Sequence, residues 1–348
     1  MTWVPLLLAD RSPCLRLRVL RDLLGRPDDD PEVRELAALV DADPLVSELA
    51  DSQEDDGSWS LPALGTASGP VLRTAQALAR LGTLGLPTAH HAVQRAAEYL
   101  YGQQREDGSW PLVTVPEEHD EAGRPDMIPL QTALPLRGLA AAGFATDPRA
   151  ERAYDWLLAQ RLDDGAWPTG LASGDYRYVA GYRRLPHSRW GCRSNTTGAL
   201  LCLAHHPERR YSPGARRALD HLLGRETREA YAVGFDVARL IGAEPVRGFL
   251  TTFARYDLGL LAFLCARIGA GRDDERVAAL ADDLRALQGP FGLWEYAARP
   301  QASRWVTFDL LLSLSAIDAG DASGIAGDWV SLEPRTPFAP YRHERPRY

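Results

Sequence analysis

Apolar residues recur at three- and four-residue steps along most of this chain, the spacing that lines one face of an α-helix. The stretch 92–101 carries that pattern, and upstream of it lies a second, more apolar helix over 73–82. The same couplet returns at 132–143 with 147–161, at 197–206 with 212–225, and at 256–269 with 273–288. Ser12 and Pro13 open an earlier helix that Gly25 and Pro27 close, and Gly82, Gly143 and Gly269 end others. The pattern predicts about twelve helices and no alternating strand, an all-α chain. One helix of each couplet is almost wholly apolar and the other amphipathic, which suits two concentric layers with the apolar helices inside. Six such hairpins can close into a ring, an (α/α)6 toroid. An open solenoid is the alternative, and the polar end caps it needs are not evident.

A short unit recurs between the couplets. Gln53, Gly57 and Trp59 are followed by Gln104, Gly108 and Trp110, then by Gln160, Gly165 and Trp167, each with an aspartate just before the glycine. Gln288, Gly292 and Trp294 form a weaker copy. The glycines stand 51, 57 and 127 residues apart, and the last interval is about twice the others, so a degenerate copy is expected near 225–229. The aspartate and glycine make a tight turn, the glutamine can serve unpaired backbone groups at a helix end, and the tryptophan buries a large area over the junction. This is a stacking device, and no chemistry is assigned to it.

These units resemble the QW motifs of the squalene–hopene and oxidosqualene cyclase family, and the repeats of protein prenyltransferase β subunits. The resemblance runs from about Ser12 to about Ser315 and is similar in scale to short, single-toroid bacterial prenyltransferase/squalene-oxidase-repeat proteins. It implies an (α/α)6 toroid over 1–332, a Pro- and Arg-rich tail over 333–348, and a central cavity that takes an isoprenoid. The family's signatures are missing. There is no DxDD or DxDT string for protonating an alkene; the nearest acidic runs, 28–30 and 41–43, read as solvated surface. The zinc pair D-x-C of prenyltransferases is also absent, because Trp190 stands two residues before Cys192.

Composition narrows the chemistry. The 348 residues carry 39 basic and 47 acidic side chains, a balance of −8 that disfavours nucleic acid as a partner. Every basic residue is arginine, so mechanisms that need a lysine amine are excluded. Four scattered cysteines (Cys14, Cys192, Cys202, Cys265) read as free thiols of a reducing compartment. The start of the chain lacks a secretory pattern and no run is long enough to span a bilayer, so a cytoplasmic protein is expected, with peripheral membrane contact left open.

Candidate chemistry falls in three places. An acidic loop after Trp110, with Glu117, Glu118, His119, Asp120, Glu121 and Asp126, has the oxygen donors for Mg²⁺, alone or with a diphosphate; its plainer reading is a solvated loop. A second insertion, 175–196, brings His187, Arg189, Trp190, Cys192, Arg193 and Asn195 to a helix expected to start near Asn195. Arginines at a helix N-terminus make an anion site, Cys192 is a candidate nucleophile or zinc ligand, and His187 its acid–base partner. The plainer reading caps the helix with Asn195 and buries Cys192. Third, Asp257 and Asp309 begin two apolar helices; a desolvated carboxyl there would be a proton donor, Asp257 first, within an aromatic lining of Phe253, Tyr256, Trp294 and Trp305. The plainer role for both is a first-turn aspartate. Three functions follow: cyclisation or prenyl transfer on an isoprenoid or its diphosphate, a non-catalytic lipid- or partner-binding scaffold, and a zinc-dependent transferase using Cys192. No cofactor is assigned; the candidates are Mg²⁺ at the acidic loop and Zn²⁺ at Cys192.

Overall fold

The computed structural model describes residues 3–65, 69–110, 128–170, 185, 188–224, 231–246, 252–253 and 255–320. Six inner helices follow one another around a ring. They are α2 (Pro13–Arg18, continued by a wide turn at Val19–Leu23), α5 (Pro70–Leu84), α7 (Pro129–Leu139, continued through Ala140–Phe144), α9 (Arg193–His205), α12 (Leu258–Ile268) and α14 (Ser303–Ala319). Outside them stand α1 (Trp3–Leu8), α3 (Pro31–Ala38), α4 (Pro44–Asp51), α6 (His91–Gly102), α8 (Pro148–Ala159), α10 (Pro213–Leu223) and α13 (Glu275–Ala286). From α5 to α14 consecutive inner helices pack side by side, and α8, α10 and α13 each pack against two of them. The layers explain the two sequence textures: every residue of α9 except His205 is buried, whereas α8 buries only Ala150, Ala153, Tyr154 and Leu157.

Head meets tail. The short helix α1 packs against both α2 and α14, and α14 packs against the turn that continues α2. Arg304 reaches Asp10 at 3.2 Å, and Arg18 donates to the Thr83 carbonyl at 2.6 Å, which joins the first inner helix to the second. The protein is therefore an all-α toroid, closed as the hairpin count allowed.

Local chemistry starts the helices where they start. Proline at the first helical position loses no hydrogen bond, and an aspartate or serine before it accepts the free N–H groups. Ser12–Pro13, Asp30–Pro31, Asp43–Pro44, Asp147–Pro148 and Ser212–Pro213 all do this. Two of these aspartates were expected to be solvated surface. Asp43 instead is buried, accepting from the Ser12 hydroxyl, from Cys14 N at 3.1 Å and from Leu45 N at 3.0 Å, so it ties the starts of α2 and α4 together. All four cysteines are free and buried.

One element has no counterpart in the hairpin pattern. Helix α11 (Phe235–Leu240) lies across the hub, against α5, α12 and α14. A two-residue parallel pairing of β1 (Tyr231–Ala232) with β2 (Tyr256–Asp257) brackets it. Six residues are too few to display helical periodicity, which is why the pattern missed it. The degenerate motif near 225–229 and the tail 333–348 lie outside the described residues, and no described helix is long and apolar enough to cross a membrane.

Candidate functional site

Each motif tryptophan is locked the same way. Trp59, Trp110, Trp167 and Trp294 donate their indole N–H to Leu49, Leu100, Leu157 and Leu284 carbonyls at 2.7–2.8 Å. Their backbone N–H groups donate to Thr74, Thr132, Thr196 and Thr307, each on the next inner helix, at 2.9–3.2 Å. Gln53 and Gln104 bridge their own turn to the following outer helix, donating to Ala92 and Arg149 carbonyls at 3.0 Å. The glycine is required twice over: Gly108 has φ +91°, and a Cβ there would stand 2.4 Å from the Arg152 carbonyl oxygen of that helix.

Those threonines set a common level for the inner helices. Counting from them, Ala79, Arg137 and Leu312 stand five residues on, and Thr83, Ala141, His205 and Ala316 nine residues on. All seven line one cavity of about 550 Å³ at the hub, within the range of small-molecule sites. The residues nine on form its rim, together with Arg18, Arg210, Tyr211 and Arg267; Arg267 is held at that height by donating to the Ala204 carbonyl at 3.0 Å. Phe263, Leu260, Phe308, Trp305 and, from α11, Val237 and Leu240 give the interior its apolar surface. Phe308 and Trp305 meet edge to face with centroids 6.4 Å apart.

Asp309 borders this hollow two residues after Thr307, and so about 10 Å below the rim at 1.5 Å per residue. Its carboxyl is half-buried, enclosed by the ring with its open side on the hollow, and accepts no hydrogen bond among the described residues. Burial pushes its pKa up to about 7; Asp236 and Asp257 add to the rise, while Arg18 and Arg137 oppose it. Burial, with Arg137 and Arg267 nearby, pushes His205 down to about 3, so its imidazole is neutral at the rim. His206 beside it is buried, 2.8 Å from Glu151.

A buried charge cluster that fastens α11 borders the hollow through Arg137 and Asp236. Asp236 accepts from Arg137 at 2.6 and 3.2 Å and also from Arg239, and both guanidiniums stand over the Phe253 ring. Those cations hold Asp236 below the usual carboxylate range although burial works against it. Asp257 accepts backbone N–H groups from Gly234, Asp236 and Gly259 at 2.8–3.0 Å. It caps α12 and anchors the start of α11, with a pKa raised by burial to about 6.

The predicted site residues therefore separate. Asp309 and Trp305 line the hollow. Asp257 and Phe253 lie outside its lining, in the cluster just described. Trp294 is a motif tryptophan in the core, and Tyr256 donates its hydroxyl to the Leu222 carbonyl at 2.9 Å beneath the Arg193 guanidinium. Asn195 caps α7 rather than its own helix, accepting from Leu130 N at 2.8 Å. Cys192 precedes α9 with its side chain buried, Arg189 stands over Trp190 at 5.2 Å, and His187 and the acidic loop 117–126 lie outside the described residues. No three His, Cys, Asp or Glu side chains converge as a metal-holding group among the described residues. Around Cys192 that leaves no described donor set fitting zinc.

Part of this closed α-toroid is similar in sequence to known cyclases. The profile of the squalene–hopene cyclase C-terminal domain family matches residues 33–177. The squalene–hopene cyclase of Zymomonas mobilis subsp. mobilis is 31% identical over 163 residues, which is 44% of this chain and 24% of that protein. These stretches of the chain are similar to the squalene–hopene cyclase family, and the chain spans about a quarter of the length of the curated relative it matches. Among solved structures, a variant of the type II terpene cyclase MstE from Scytonema, in complex with geranylgeranyl dihydroxybenzoate, is 19% identical with a TM-score of 0.46, covering 79% of this chain and 74% of that one. A protein from Actinoplanes is also 19% identical, with a TM-score of 0.32 over 78% of this chain and 97% of the other.

Proposed function

We propose that the protein is a terpenoid-cyclase-like enzyme that takes a linear isoprenoid into its hub and starts cyclisation by protonating an alkene with Asp309. The observation that carries this reading is the Asp309 carboxyl itself, on a hollow with an aromatic wall, with no hydrogen-bond donor claiming it among the described residues. Alkene protonation asks for an acid that still holds its proton near neutral pH, and burial provides one. The O–H bond breaks, a C–H bond forms, and a carbocation is left beside a new carboxylate. Arg18, whose field favours the ionised carboxyl, stabilises that carboxylate, and the faces of Phe308, Trp305 and Phe263 stabilise the cation. A substrate filling the hollow displaces its solvent, so that water does not quench the cation.

The test is turnover of linear polyprenyl substrates by wild type and by Asp309→Asn, with circular dichroism as a fold control. Loss of cyclised product in a folded variant is expected. Undiminished product from the variant removes Asp309 as the acid. Binding of the polyprenyl compounds without turnover by the wild type replaces the enzyme reading with a lipid-binding one.

A further inference from the structure

Two cavities approach the hub from opposite ends. The hollow described above has its rim at the C-terminal ends of the inner helices. A groove of about 970 Å³ opens at the other end, beside the starts of α2, α4 and α14, lined by Ser12, Leu45, Leu293, Tyr296 and Arg304 among others. Trp305 is the residue that lines both. The end of α11 divides the same way: Leu240 faces the hollow, while Ile241, Gly242 and Ala243 face the groove. The barrier between the two spaces is therefore an indole and one helix end. Trp305 is only 3% exposed.

We propose that Trp305 is the stop that sets the longest apolar chain the hollow admits. The inference rests on the isoprenoid-binding reading above and adds a specificity residue to it. A chain entering at the rim and passing Asp309 meets the indole one turn further down α14, since Trp305 stands four residues before Asp309. The groove beyond is half apolar, with Leu45, Ile241, Ala243, Leu293, Tyr296 and Pro300 on its walls, so a chain that passed the barrier would find surface to cover.

The experiment measures binding of a length series of all-trans polyprenyl alcohols, from geraniol upward, by thermal shift and calorimetry, without requiring turnover. Wild type is expected to lose affinity beyond a limiting length. Trp305→Ala extends that limit by at least one isoprenoid unit, with a gain of about tenfold for the first alcohol the wild type refuses. Trp305→Phe falls between the two and guards against a fold defect in the smaller variant. Adding Ala243→Trp to Trp305→Ala fills the space beyond and restores the original limit. An unchanged limit in both Trp305 variants overturns the inference while leaving the binding reading intact. No binding of any member by wild type or variant overturns both.

Discussion

Asp309→Asn gives the most quantitative test of the hub's electrostatics. In the folded protein this carboxyl titrates near 7, against an ordinary value of 3.8. The native state therefore holds a proton that the unfolded chain releases, and stability falls as pH rises from about 4 through about 7. That interval, at 1.36 kcal/mol per pH unit, sets a ceiling of ~4 kcal/mol. Solvent in the hollow reduces the expected effect to about 2 kcal/mol. The asparagine variant is close in shape to the neutral acid and cannot ionise. It should match wild type at pH 3 and exceed its stability by about 2 kcal/mol at pH 8.5 in urea unfolding. Asp257, also raised, and His205, lowered, titrate in both proteins and cancel in the difference. A variant offset that is the same at both pH values would show that Asp309 is an ordinary exposed carboxylate, and the account of the site would fail.

Three further outcomes follow from the packing. Gly108→Ala places a methyl group against the Arg152 carbonyl and forces a left-handed backbone on alanine, so urea unfolding should show a loss of about 2–5 kcal/mol. Thr132→Val leaves the buried Trp110 N–H without its acceptor and should cost about 1–3 kcal/mol, again by urea unfolding. Arg137→Met removes the bidentate partner of buried Asp236 and should cost about 3–5 kcal/mol; a neutral result in the melting curve would mean that Arg239 alone compensates that charge.

Much of the ring was legible in the sequence because its repeated parts are local. The couplets show helical periodicity, and the turn glycine before each tryptophan marks where one hairpin meets the next. Helix α5 and helix α13 fall within a few residues of their expected spans. The hub was harder to read because its lining is decided by level, not by local pattern. Asp257 and Asp309 look alike in sequence, each an aspartate early in an apolar helix. Only the approach of α11 adds the Gly234 and Asp236 N–H groups to the cap that Asp257 already makes on Gly259, while Asp309 is left on open space. His205 is a similar case: it stands at a helix end beside a polar run, and nothing local shows that it is nine residues beyond the threonine that grips Trp167, where the inner helices form the rim. The spacing from motif threonine to cavity residue was the available signal, and it needs the Trp–Thr hydrogen bond to be recognised.

The most direct measurement of the central claim is diffraction from crystals soaked with a brominated linear isoprenoid, recorded at the bromine edge. The account predicts ligand density in the hub hollow, with carbon chain between the rim residues His205 and Arg267 and the Asp309 carboxyl, ending at Trp305. An empty hub with the bromine signal elsewhere on the protein would contradict it.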